Sequence, residues 1–344
     1  MPYKFFSNSE KSWQAMYNTM LTAKSSIYLE MYIFQDDMVD FNFLLLLKDK
    51  ATLGLKVKVI LDFFGSYSLS KKVISELRGA GVELIFQSYF LHRTHRKVLV
   101  VDESVAFIGG VNFHQSASLW NDLMVQIEGD LVKFIIKSFA KIYKECGGKD
   151  AYVLVHNKKK ILKDMLHDWL IEHSPVKHRF NLKRIYKAHL SLAKKSIILI
   201  TPYFVPKRWL IAQLHQAKMR GVNVVIFVPK NTDSYFVDRV NYFFINKLSK
   251  LGINFYIEEQ MNHAKIMAID GIEAVVGSNN LDYLSFELNS EVGIFFNDPD
   301  ALQKIFEIIN EWKKGAVLFE TKNYKMNWLD YFLYLIIKVF YKIF

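Results

Sequence analysis

The chain has 344 residues, 51% of them hydrophobic and 23% charged, which excludes general disorder and allows two ordinary domains with real cores. A net charge of +11 predicts attraction to polyanions, whether nucleic acid or an anionic membrane leaflet, and says nothing of fold. The lone cysteine, Cys146, excludes an internal disulfide and is expected as a small buried apolar residue.

In chain order, Met1–Trp13 carries Lys4, Glu10 and Lys11 without a long apolar run, so no secretory signal is expected there. Residues 12–34 read as an amphipathic helix, the tetrapeptide Ala23-Lys24-Ser25-Ser26 and a strand, Ile27–Phe34. A second strand opens at Gly54-Leu55-Lys56-Val57, and a third at Gly81-Val82-Glu83-Leu84. The same phrases return later. A helix leads into Ala193-Lys194-Lys195-Ser196 and the strand Ile197–Ile200, followed by Gly221-Val222-Asn223-Val224 and Gly252-Ile253-Asn254-Phe255. Strands alternating with helical patterns predict an α/β sandwich in each half, with the glycines at helix ends where a left-handed residue is cheapest. The expected division is a first domain over 1–150, a basic linker over 151–183, a second domain over 184–320 and an amphipathic tail over 321–344. In that tail Trp328, Phe332, Ile336, Phe340 and Phe344 recur every four residues, with Lys338 and Lys342 in a polar stripe. It is too short and too charged to span a bilayer, and suits the interface plane.

Inside the repeat lies a duplicated motif. His95, Lys97, Asp102 and Asn112 each recur 168 residues on, as His263, Lys265, Asp270 and Asn280, with Gly109-Gly110 and Gly277-Ser278 between. Residues two apart on a strand face the same way, so each histidine is expected beside its lysine. Lysine supplies a point charge for phosphate oxygens, asparagine an amide donor, and the small residues a close backbone approach to an anion. Histidine is suited to act near neutral pH as nucleophile or acid. The candidate catalytic set is therefore His95, Lys97, Asp102, His263, Lys265 and Asp270, with Asn112 and Asn280 on the phosphate. Asp102 and Asp270 fall at strand ends and read as structural rather than as proton carriers. The acids that open the last strand of each half, Asp122 and Glu291, are the expected partners for the second ring nitrogens. No cluster has the spacing of a metal site, and no cofactor is expected.

At these residues the chain resembles the phospholipase D superfamily, named for two H-x-K-x4-D motifs, and is closest to bacterial cardiolipin synthases of the shorter form. Ile27-Tyr28-Leu29-Glu30-Met31-Tyr32-Ile33-Phe34, Thr201-Pro202-Tyr203-Phe204-Val205-Pro206 and Leu288-Asn289-Ser290-Glu291 extend the likeness over about residues 8–318. It departs at Tyr283-Leu284, where many relatives carry arginine. The resemblance implies a monomer with two α/β sandwiches about a pseudo-twofold axis and one active site between them. It also implies metal-free transfer, with His95 as nucleophile and His263 as general acid. The implied reaction makes cardiolipin from phosphatidylglycerol with release of glycerol, at the surface of a bacterial cell membrane as a peripheral or monotopic protein. A lipid hydrolase or nuclease on the same site is the alternative. A non-catalytic module is expected to have lost a motif residue, and neither set has.

Overall fold

The computed structural model describes residues 2–87, 92–158, 168–323 and positions 328, 331, 332 and 335. Strands β1 (Tyr3–Asn8), β2 (Ser26–Met31), β3 (Lys56–Asp62), β4 (Glu83–Gln87), β5 (Val98–Val101), β6 (Val105–Gly109) and β7 (Asn121–Glu128) form one sheet. Its order is β1-β7-β6-β5-β2-β3-β4. A second sheet holds β8 (Trp169–His173), β9 (Ser196–Ile200), β10 (Asn223–Pro229), β11 (Asn254–Glu258), β12 (Ile266–Ile269), β13 (Glu273–Gly277), β14 (Glu291–Phe296) and β15 (Ala316–Leu318). Its order is β8-β14-β13-β12-β9-β10-β11-β15. Without β15 the two orders match strand for strand, so the sequence repeat is a repeat of topology.

Helices α1 (Ser9–Leu21), α2 (Phe43–Thr52) and α3 (Lys71–Gly79) close the outer face of the first sheet. Helices α4 (Leu131–Glu145) and α5 (Ala151–Lys158) follow; α6 (Asn181–Leu192), α7 (Arg208–Met219), α8 (Tyr235–Ser249) and α9 (Tyr283–Glu287) cover the second sheet's outer face, and α10 (Pro299–Lys314) ends the series. Asn8, Ser70 and Asp298 cap α1, α3 and α10 by accepting a first-turn N–H. The inner faces of both sheets, with α4 and α10, share one continuous core. Strand alternation produces this layering. Val98 and Val100 point into the shared core while Leu99 and Val101 face the helices, and Ile266 and Ala268 alternate with Met267 and Ile269 in the same way. Strands buried on both faces read as unbroken apolar runs. Gly54, Gly81, Gly221 and Gly252 all take positive φ after helices, as their positions predict.

The stretch 151–183 differs from a simple linker. Helix α5 packs on the first half, where Tyr152 lies under the Lys56 ammonium and His156 meets Glu103 at 2.9 Å. Strand β8 pairs with β14 as the edge of the second sheet, just as β1 pairs with β7. Its apolar run is only Trp169-Leu170-Ile171, too short to stand out among basic neighbours. His173 is buried on it. Most of the tail 321–344 lies outside the described residues; Trp328, Tyr331, Phe332 and Leu335 are exposed there. Among the described residues no helix is long and apolar enough to cross a membrane.

Under the first motif a charged pair is wholly buried. Glu30 accepts from Arg96 Nε at 2.9 Å and from Thr94 Oγ1 at 2.7 Å, and Arg96 continues to Ser138 at 2.8 Å. Removing one partner strands the other charge in the core, so Glu30→Ala is expected to destabilise the protein by about 3–5 kcal/mol. A same-volume apolar replacement of both, Glu30→Met with Arg96→Met, is expected to recover most of that loss in urea unfolding.

Candidate active site

The two histidines do not lie within their strands. His95 and His263 occupy extended lead-ins to β5 and β12, and each lead-in is stitched to the opposite half. The His95 N–H donates to Ser290 O at 2.9 Å and the Ser290 N–H to Arg93 O at 2.8 Å. In mirror fashion the His263 N–H donates to Asn121 O at 2.7 Å and the Asn121 N–H to Met261 O at 2.9 Å. Both imidazoles line one cavity of about 640 Å³ whose walls come from both halves. Tyr32 stands edge-on to His95 with ring centroids 4.7 Å apart, and Trp120 and Tyr203 flank His263 at 5.5 and 6.4 Å.

Each imidazole is held by a carboxylate from the other half. His95 Nδ1 meets Glu291 Oε2 at 3.1 Å, and His263 Nδ1 meets Asp122 Oδ2 at 2.8 Å. Glu291 also accepts from Ser278 Oγ, and from Ser285 Oγ at 2.7 Å; Asp122 accepts from the Leu123 N–H at 2.7 Å. A carboxylate on Nδ1 fixes the tautomer and leaves Nε2 as the reactive nitrogen. Both expected acids meet an imidazole, each one the imidazole of the opposite half.

Lys97 and Lys265 are fully buried beneath the histidines. Each ammonium donates to the carbonyl of its own histidine, Lys97 to His95 O at 2.8 Å and Lys265 to His263 O. Burial is the main cause of the lysine and histidine shifts here. It pushes Lys97 well below the ordinary lysine range and Lys265 down to about 8, against the pull of Asp122 and Glu291. Burial, then the adjacent lysines, lowers His95 to about 4 and His263 to about 3. Both imidazoles are therefore neutral in the empty cavity, as a nucleophile requires. A bound phosphodiester anion offsets the lysine charges and favours an imidazolium, so substrate itself loads the proton that a general acid needs.

These values fix the sign of a pH profile. Below about pH 4 the His95 imidazole of the free protein becomes protonated, and above about pH 8 Lys265 loses its charge. The value of kcat/KM is expected to fall on both sides. Because bound phosphate raises the lysine pKa values, the alkaline limb of kcat should lie higher than that of kcat/KM. Steady-state rates between pH 3 and 10 check this.

Asp102 and Asp270 are corrected from the catalytic set. They sit at the far ends of β5 and β12 in positive-φ turns, where Asp102 accepts from the N–H groups of Lys24, Ser25 and Ser26 and Asp270 from those of Lys194, Lys195 and Ser196. They lock the turn before β2 and β9, and so act on the motif strands only through the fold. The glycines also have another role than approach to an anion. A Cβ on Gly109 or Gly277 would lie 2.1 or 2.5 Å from the Leu123 or Val292 carbonyl, and one on Gly110 would lie 2.2 Å from Asp122 Oδ1. They let β7 and β14 bring the two acids close. Asn112 and Asn280 do line the cavity, Asn112 Oδ1 accepting the Ile33 N–H at 3.3 Å.

Sequence reasoning had left Tyr32, Trp120, Tyr203 and Asp233 unassigned. All line the cavity, and Tyr203 donates its hydroxyl to Asp233 at 2.5 Å. Two of these, Tyr32 and Tyr203, stand in the aromatic phrases that carry the family likeness, which was the available signal. At the departure from that likeness, Lys207 ion-pairs with Glu287 at 3.0 Å and stands over the Tyr283 ring, while Leu284 is an apolar part of the cavity mouth.

Paired imidazoles over buried ammoniums, contributed by two like halves, form an arrangement that suits a phosphodiester. The chain belongs to the cardiolipin synthase family with phospholipase D-like domains: the family model described as "Cardiolipin synthase, PLD-like domain" matches residues 16–145 and 186–312. It is 30% identical to the cardiolipin synthase of Geobacillus sp. (strain WCH70) over 343 residues, covering 92% of this chain and 68% of that one. It is 28% identical to cardiolipin synthase 2 of Bacillus cereus, covering 87% of this chain and 62% of that one. The chain thus spans about two thirds of the length of these relatives. In fold it is similar to the phosphatidylserine synthase of Haemophilus influenzae, with a TM-score of 0.78 at 14% identity, covering 99% and 93% of the two chains.

Proposed function

We propose that the protein is a phosphatidyltransferase that makes cardiolipin from phosphatidylglycerol and releases glycerol, in a single site that both halves complete within one monomer. The observation that carries this reading is the crossed pair of imidazoles in one cavity, each with Nδ1 on a carboxylate of the opposite half. In the first step Nε2 of His95 attacks phosphorus as the bond to the glycerol oxygen breaks, and His263 gives that oxygen its proton. In the second, His263 takes the proton of an incoming lipid hydroxyl, whose oxygen displaces His95 from phosphorus. Lys97 and Lys265 supply the positive charge that a phosphoryl group needs. The names of the relatives supply the product, cardiolipin; phosphatidylglycerol as donor and acceptor follows from the family resemblance.

Features around the mouth favour lipid over nucleic acid. Leu119, Tyr235, Phe236 and Leu284 are all exposed. Leu284 itself lines the cavity, and Leu119, Tyr235 and Phe236 adjoin the lining residues Trp120, Ser234 and Val237. Aromatic side chains of this kind suit the water–lipid boundary, and the net charge of +11 suits an anionic leaflet of a bacterial membrane. The tail, 321–344, is proposed to lie in the same interface. Purified protein, labelled phosphatidylglycerol vesicles and excess chelator test the reading. Diphosphatidyl product with free glycerol supports it. Phosphatidic acid alone indicates a lipid hydrolase, and a cleaved oligonucleotide with inert lipid indicates a nuclease.

A further inference from the structure

The two halves secure the lead-ins to their motif histidines by different means. In the first, Thr94 is held by two acids: its N–H donates to Asp62 Oδ2 at 2.9 Å and its Oγ1 to Glu30 Oε1 at 2.7 Å. Strand register places Ile200 and Pro229 of the second half where Glu30 and Asp62 stand in the first. Ala264 likewise stands where Arg96 does, 168 residues on. These three places carry no charge in the second half, so its lead-in is secured from elsewhere.

An acid stands one strand further out instead. Glu258 ends β11 beside Pro229, as Gln87 ends β4 beside Asp62. It is buried, and its Oε1 accepts from Asn262 Nδ2 at 3.2 Å. Asn262 matches Thr94 in the repeat and is wholly buried. Its Oδ1 accepts the Ala264 N–H at 3.0 Å, so one amide ties Glu258 to the backbone on the far side of His263. The residues on either side of Asn262, Met261 and His263, make the two backbone bonds to Asn121. Asn121 in turn precedes Asp122, the carboxylate on His263 Nδ1. The form of the acid suits a brace. Glu258 Oε2 finds no hydrogen-bond partner among the described residues, and a carboxylate ion is not sustained in a core by one neutral donor. Burial pushes the carboxyl up to about 8, with the Asn262 amide pulling the other way. At pH 7 the group is therefore neutral and offers Asn262 a carbonyl oxygen, as a glutamine would.

We propose that Glu258 is a positioning residue for His263, acting through Asn262 to hold the imidazole on Asp122 and within reach of the phosphodiester. The role rests on the two-step reading, in which His263 protonates the leaving oxygen and then takes the proton of the acceptor hydroxyl. Glu258 itself touches neither lipid nor phosphorus and exchanges no proton with them.

The test uses the full-length protein and one substrate, a p-nitrophenyl phosphodiester, and measures both the first-step burst of p-nitrophenol and the steady-state rate with an alcohol acceptor. The burst needs no proton from His263, whereas the second step needs His263 as base. Glu258→Leu and Asn262→Ser cut the link from its two ends. The serine hydroxyl still serves the Ala264 N–H but is too short for Glu258, and it leaves no buried charge, so it stands in if the leucine variant does not fold. Each is expected to lower the steady-state rate about tenfold or more, the cost of a misplaced catalytic group, while the burst stays near the wild-type rate. Glu258→Gln, which keeps the acceptor, should retain both. Steady-state rates unchanged in the leucine and serine variants overturn the role, and so do losses that fall equally on burst and steady state. A glutamine variant as slow as the leucine one overturns it too. Each of those results leaves the two-step reading standing. A wild type that turns the substrate over without a burst contradicts the two-step reading and removes the role with it.

Discussion

His95→Ala is expected to lower turnover by about 10⁴-fold or more and to abolish any covalent phosphoryl adduct. The magnitude follows from how nucleophiles behave when they act as a unit with an acid: removing one member leaves only binding and charge stabilisation. His95 is buried and held by Glu291, so the mutation leaves a small cavity beside Tyr32 and takes one partner from Glu291, which keeps Ser278 and Ser285. Acid-quenched reactions with labelled lipid, digested and mapped, give the direct readout. Label on a peptide containing His95 in the wild type, absent from His95→Ala, is the expected result. Label on His263 would exchange the two roles. Ping-pong kinetics in two alcohol-bearing substrates should accompany the adduct.

The crossed carboxylates carry the second large effect. Glu291→Gln and Asp122→Asn are each expected to lower kcat by about 10²–10⁴-fold, because an amide no longer selects the tautomer that leaves Nε2 reactive. The two variants should differ in kind. If His263 protonates the leaving oxygen, the first-step burst of p-nitrophenol from a p-nitrophenyl phosphodiester, whose leaving group needs no proton, should be largely rescued in Asp122→Asn. Glu291→Gln acts through the attacking imidazole and should stay slow on that substrate. Equal losses on both substrates would contradict the division of roles.

Much of this was legible in the chain because it is written locally. The motif residues recur at a single offset of 168, and the flanking Val and Ile runs announce strands buried on both faces. Asp122 and Glu291 could be picked out as acids at strand starts. That they would trade partners could not, since the exchange arises from docking one half on the other through Ser290 and Asn121. The role of Gly109 and Gly277 was hidden for a related reason: a glycine that admits a neighbouring strand looks the same as one that admits an anion. Strand β8 was missed because five residues in a basic stretch carry too little periodicity. His114 was visible only as a histidine two residues past Asn112, and nothing in its neighbours distinguished it from a loop histidine, although it lines the cavity.

The central claim is that phosphorus passes through a covalent histidine adduct, and its geometry makes that claim measurable. Each in-line displacement inverts the configuration at phosphorus, so two in sequence restore it. Phosphatidylglycerol made chiral at phosphorus by oxygen isotopes, turned over with an alcohol acceptor, should yield product of retained configuration. Inversion would mean that the acceptor attacks the lipid directly, with both imidazoles acting only on protons, and would contradict the account.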